Sequence, residues 1–157
     1  MPAYYLDSSA LVKRYVTETG SAWVQALCQD ATNAIFISEL ALVEVGSAFA
    51  RRCHRGEITD EQRRQYLSVF VFDCAEGYHL IPAERPAIER GLDLTQQHFL
   101  RGYDALQLAC ALAANDVLAV AALPALIFVS ADDGLLAAAA TEGLPVENPN
   151  RPGKSIF

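Results

Sequence analysis

The sequence is short of the groups that disulfide and soft-metal chemistry require. Its four cysteines, Cys28, Cys53, Cys74 and Cys110, are widely spaced and form no C-x-x-C pair. They read as buried or half-buried free thiols in a reducing compartment. The three histidines, His54, His79 and His98, show no metal-ligand spacing and read as surface or edge residues. Positive charge is scarce too: 12 Lys and Arg against 19 Asp and Glu give a formal net charge of -7. That excludes binding nucleic acid through overall charge but leaves room for a local basic rim. No apolar run reaches the roughly 18 uncharged residues of a membrane-spanning helix. The nearest, Val117 to Ser130, contains Pro124 and reads as a helix end followed by a strand. No basic region precedes an apolar core at the N-terminus, so no secretory signal is read and the cytoplasm is the expected location.

What is present is a sizeable apolar fraction, 52% of 157 residues, enough for one folded domain with a real core. Short apolar strands alternate with longer helical patterns, which predicts a parallel sheet covered by helices. The strands are expected at Ala3 to Leu6, Ala34 to Ile37, Tyr78 to Ile81 and Leu126 to Ser130, with a weak one at Pro145 to Val146. Helices are expected at Glu39 to His54, Thr59 to Ala75, Glu84 to His98, Tyr103 to Val120 and Asp132 to Glu142, and a helical start follows Asp7. Thr59-x-x-Gln62 is a capping-box pattern, and Gly143 with Pro145 ends the last helix. No linker, repeat or charge block divides the chain, so residues 1–157 read as a single α/β/α domain.

Four acids stand in positions that ask for an explanation. Asp7 directly follows the apolar run Tyr4-Tyr5-Leu6, at the carboxyl end of a strand, where open α/β sheets bind ligands. Glu44 sits in a helix that is apolar nearly all round it, and a buried carboxylate without a partner is costly. An ion pair with Arg51, Arg52 or a distant Arg is one answer. Asp104 opens the most apolar helix, and Asp132 and Asp133 follow a buried strand. Taken singly, Asp7, Asp104 and Asp132 also read as helix caps or first-turn acids. Taken together, Asp7 and Asp132 fall at the same edge of a parallel sheet, and acids gathered there repel one another unless a divalent cation holds them. Carboxylate and water oxygens suit Mg²⁺, with Mn²⁺ as a substitute, and not Zn²⁺.

The stretches YYLDSSALVKRY, ELALVEVGSAFAR, LRGYDALQLACA and FVSADDGLLAAAATEGLPVENP, in that order over nearly the whole chain, resemble the PIN domain. They are most similar to the VapC toxins of toxin–antitoxin pairs. The resemblance implies a three-layer α/β/α sandwich with a central, mainly parallel sheet. It also implies a Mg²⁺- or Mn²⁺-dependent endoribonuclease whose products carry a 5′-phosphate and a 3′-hydroxyl. Residue by residue, it places Asp7, Glu44, Asp104 and Asp132 as catalytic metal ligands, with Ser8 and Ser130 nearby. Asp133 falls on a variable position, and Gln107 stands where many relatives carry His. A small antitoxin that inserts an Arg or apolar anchor into the acidic pocket, and a homodimer, are the implied protein partners. The apolar stretch Leu67 to Phe72 is a candidate dimer surface.

Such a nuclease cleaves RNA with a metal-activated water. Lys13, Arg14, Arg51, Arg52, Arg55 and Arg101 are candidates for a phosphate path. Other classes fit less well. A haloacid-dehalogenase-type phosphohydrolase needs a second Asp two residues after the first, where this chain has Ser9. A receiver domain needs a lysine after a late strand. A PIN-fold nuclease with an RNA-processing role remains open, as does a non-catalytic module whose acids hold a partner's Arg.

Overall fold

The computed structural model describes residues 1–154. Its elements run β1 (Ala3–Leu6), α1 (Ser8–Tyr15), α2 (Ser21–Gln29), β2 (Ala34–Ser38), α3 (Leu40–His54) and α4 (Asp60–Glu76). They continue with β3 (His79–Ile81), α5 (Arg85–Gln97), α6 (Gly102–Val120), β4 (Ile127–Val129), α7 (Asp133–Thr141) and β5 (Val146–Glu147). The five strands form one sheet in the order β3-β2-β1-β4-β5, parallel throughout. The expected three-layer α/β/α architecture is what the chain adopts.

Side-chain alternation along the strands sends successive residues to opposite faces. Ala3, Tyr5 and Phe128 join a core with α5, α6 and α7, where Leu94, Leu108 and Leu135 are buried. Leu6, Ile35, Ile37 and Val129 join a second core with α1 to α4, where Leu11, Val24, Phe49 and Phe70 are buried. The Tyr5 and Phe128 rings stack at 5.5 Å across the β1–β4 pair, at the centre of the first core. The Thr59–Gln62 capping box is formed in both directions.

One helix went unanticipated in the sequence. α2 starts from Gly20, in a left-handed conformation at φ 88°, and has no side-chain cap and no acidic first turn. The usual helix-start signals are therefore missing, and packing of Val24 and Leu27 supplies its stability instead. α6 is long and apolar enough to cross a bilayer by length and composition. Its middle instead forms the first core, through Leu108, Ala109, Cys110, Ala111 and Leu112.

The topology fixes where a site can form. β1 leads to β2 and β3 on one side, while β4 and β5 lie on the other. The chain therefore switches direction between β1 and β4, and a crevice opens at their carboxyl ends. Leu6 pairs in register with Val129, so Asp7 and Ser130 emerge side by side.

Candidate functional site

Asp7 is almost wholly buried, at 4% exposure. Its Oδ1 caps α1 by accepting from the Ala10 N–H at 2.9 Å and from the Ser9 hydroxyl at 2.7 Å. Its Oδ2 accepts from the Ser130 hydroxyl at 2.6 Å. Burial pushes its carboxyl up to about 6; the three hydrogen bonds oppose that rise and the charge of Asp104 adds to it. The capping role expected of an isolated Asp is real here. Capping alone, however, leaves the cost of burying this charge unexplained.

The other three acids are linked to it through Ser130 or through the charge of Asp104. Asp132 is exposed and caps α7, accepting from the Gly134 and Leu135 N–H groups at 2.9 and 3.2 Å. Its own N–H donates to Ser130 Oγ at 3.0 Å, so one serine ties Asp132 to Asp7. Asp104 lies in the first turn of α6, but the cap position is Arg101. Its carboxyl is pushed up by desolvation and by Asp132, with Arg101 opposing. Glu44 is half-buried on α3 and also pushed up, first by desolvation, with hydrogen bonds from Gln107 and Ser8 opposing and the charge of Asp104 adding to the rise. Asp104 is thus the electrostatic hub: its charge acts on Asp7 and Glu44, and the charge of Asp132 acts on it.

The ion pair that was one of the alternatives for Glu44 does not form among the described residues. None of the ion pairs among the described residues includes it: Arg52 bonds Glu18 and Glu57, and Arg51 donates to the Ser47 hydroxyl. Its partner is the amide of Gln107, whose Nε2 donates to Glu44 Oε1 at 2.6 Å. Asp133 is turned outward, held by Arg151 and by Asn148 at 3.1 Å.

Two clefts flank the acids. One, of about 600 Å³, is lined by Ser8, Glu44, Lys13, Arg51, Arg52 and Tyr103, among others. The second, of about 480 Å³, is lined by Phe99, Arg101, Asp104, Asp132 and Leu135, among others. Arg14 lies elsewhere: it bonds the Tyr78 hydroxyl at 2.7 Å and pairs with Asp73. Arg55 pairs with Glu57 at 3.9 Å and lines neither cleft.

Among the described residues no group of three or more acidic, histidine or cysteine side chains is already arranged to hold an ion. The donor set nevertheless suits a hard cation. It offers carboxylates and hydroxyls, with no imidazole or thiolate beside them. Mg²⁺ keeps several waters and takes only one or two carboxylates directly, so a loosely spaced set is compatible with it.

Known proteins resemble this chain in sequence and in fold. The family model described as PIN domain matches residues 4–140. Ribonuclease VapC45 of Mycobacterium tuberculosis is 36% identical over 119 residues, covering 74% of this chain and 79% of the relative. VapBC2 from Rickettsia felis, solved bound to a DNA fragment from its promoter, superposes with a TM-score of 0.63 at 17% identity. That match covers 93% of this chain and 98% of the other. A toxin–antitoxin complex from Klebsiella pneumoniae gives 0.53 at 22% identity, covering 93% and 97%. The two structures speak for the fold alone.

Asp7 makes a signed prediction for the metal-free protein. Its folded carboxyl lies at about 6, above the ordinary 3.8, so the folded chain keeps a proton that the unfolded chain releases. The stabilisation from that proton is full below about pH 4 and is lost as pH rises through about 6. At neutral pH the buried charge then costs on the order of 3 kcal/mol, at about 1.4 kcal/mol per pH unit. Asp7→Asn keeps the Oδ1 cap and removes the charge. In chelator its melting temperature is expected to exceed the parent's at about pH 7, the gap closing toward about pH 4. A gap that does not change with pH contradicts this assignment.

Proposed function

The chain belongs to the PIN domain family, and from that membership and the four-acid edge we propose that it is a Mg²⁺- or Mn²⁺-dependent endoribonuclease. In this reading it is the toxin of a type II toxin–antitoxin pair and works in the cytoplasm as one nuclease domain spanning 1–157. The observation that carries the reading is Asp7. A carboxylate this deeply buried, with its acidity weakened and Asp104 acting on it, is a charge the fold keeps at a cost unless a cation binds.

Asp7, Asp104 and Asp132 hold the cation, directly or through water, and Glu44 binds beside it or orients the attacking water. When bound, the cation supplies Lewis acidity toward the phosphate and acidifies a water molecule. The protein's own groups do the rest. Ser130 and Ser9 fix the Asp7 carboxylate from both sides. Glu44 faces the larger cleft, where it can align a water for attack on phosphorus. Among the described residues the Arg51 side chain has only the Ser47 hydroxyl as its partner, and it lines that cleft, where it can meet a phosphate. Arg101 offers a second cation from the other cleft. Tyr103 at 60% exposure and Phe99, fully exposed, stand one in each cleft and offer faces for base stacking.

The protein partners follow the same reading. A small antitoxin covers the larger cleft with a C-terminal segment, placing an Arg against the acids or an apolar anchor near Val43 and Ala48. Saturating partner then abolishes RNA cleavage and raises the melting temperature by linkage; an unchanged cleavage rate contradicts neutralisation at this site. A second copy of the chain covers the exposed Val69, Val71 and Phe72 of α4 or a neighbouring helix. Light scattering is expected to show a dimer, and a strict monomer at high concentration opposes it.

Asp104 tests the metal site. Among the described residues it makes no cap hydrogen bond to α6, and its surroundings on balance disfavour its charge. A first-turn acid normally gains about 0.3–1 kcal/mol from the helix end, so that gain is already outweighed here. Asp104→Asn is therefore expected to be as stable as the parent, or more so, in chelator. With Mn²⁺ the parent's melting temperature rises more than the variant's, and the variant loses most RNA cleavage. Equal metal responses with undiminished cleavage remove Asp104 from the site.

A further inference from the structure

Gln107 sits one turn beyond Asp104 on α6 and is 2% exposed. An amide in so apolar a stretch must satisfy both its ends. The Tyr5 hydroxyl donates to its Oε1 at 2.5 Å. Its Nε2 donates to Glu44 Oε1 at 2.6 Å and to Ser8 Oγ at 3.2 Å. The orientation of the amide follows from its partners. An ionised carboxylate only accepts, so it faces the NH₂ end, and Tyr5 is then obliged to donate to the oxygen. Turning the amide over would set its oxygen against a carboxylate.

The chain of donors extends into the core. Ser38 Oγ, which accepts from the Leu40 N–H at 3.1 Å and from Cys110 Sγ at 3.6 Å, lies against the Tyr5 phenol. Tyr5, Ser38 and Cys110 have no exposed surface. A dry, fully satisfied network of this kind has one low-energy arrangement and is rigid. It ends on Glu44, at the lip of the larger cleft.

We propose that Gln107 is a positioning residue that ties the Glu44 carboxylate to the buried Tyr5 hydroxyl of β1, so that Glu44 meets metal and water in a single orientation. The proposal rests on the ribonuclease reading. Gln107 lines neither cleft and so does not touch RNA; it acts through Glu44. Removing a partner that orients a metal-binding side chain typically costs about 10–100-fold in metal affinity or activity.

The test must separate positioning from core packing. Gln107→Met alone takes the acceptor from the Tyr5 hydroxyl, so the informative variant is Tyr5→Phe/Gln107→Met, which removes both ends of that bond. It is compared with the parent, with Glu44→Gln, and with the triple variant. The readouts are melting in chelator, Mn²⁺ affinity by calorimetry, and kcat and KM on a labelled single-stranded RNA. The double variant is expected to melt near the parent, bind Mn²⁺ about 10–100-fold more weakly and lose kcat in the same range, with KM unchanged. In the Glu44→Gln background the same two changes cause no further loss. Equal losses in both backgrounds, or unchanged Mn²⁺ affinity in the double variant, overturn the assignment of Gln107 and leave the ribonuclease reading standing. A parent that neither binds Mn²⁺ nor cleaves RNA overturns both.

Discussion

Burial of carboxylates at the carboxyl edge of the sheet, with their repulsion of one another added to it, is the constraint on which this site depends. Asp7 loses most of its hydration to β1, α1 and the Ser130 turn, and its carboxyl is pushed up to about 6 as a result. Asp104 and Glu44 are pushed up as well, desolvation first and a neighbouring acid next in sign. Each of these groups is less stable charged than it would be in water. The fold tolerates this because strong local bonds hold each carboxylate: serines and an N–H on Asp7, two N–H groups on Asp132, an amide on Glu44. A site that keeps acids together against their own repulsion is poised for a cation.

The topology turns four distant segments into one locus. β1 and β4 are neighbours at the switch point, so Asp7 and Ser130, 123 residues apart, come within 2.6 Å. α6 approaches from the first core and α3 belongs to the second. Gln107, on α6, crosses between the two layers to reach Glu44, 63 positions away. The site is therefore a junction of all three layers, and it forms only when both cores are packed.

Much of this was legible in the sequence, and the exceptions have physical reasons. The strands β1, β2 and β4 stood out because buried parallel strands are short apolar runs, and Asp7 stood out because it breaks such a run. α2 was hidden because Gly20 starts it without a side-chain cap. Arg14 adjoins Lys13 in sequence, but neighbouring helix residues point about 100° apart. Lys13 lines the cleft while Arg14 turns to Asp73 and Tyr78. The sequence points to a cation or an arginine as the partner of Glu44, because opposite charge is the commonest answer to a buried carboxylate. The signal for Gln107 was present all the same: a lone amide in the run ALQLACALAA, which burial obliges to find hydrogen bonds.

Whether these acids serve RNA hydrolysis through a bound cation is answered directly by the parent protein. Purified chain is incubated with an end-labelled single-stranded RNA in chelator, in Mg²⁺ and in Mn²⁺, and the product ends are analysed. No cleavage is expected in chelator, and cleavage with either metal is expected to give products carrying a 5′-phosphate and a 3′-hydroxyl. Cleavage that persists in chelator, or metal-dependent cleavage that leaves a 2′,3′-cyclic phosphate, would contradict that role of the acids.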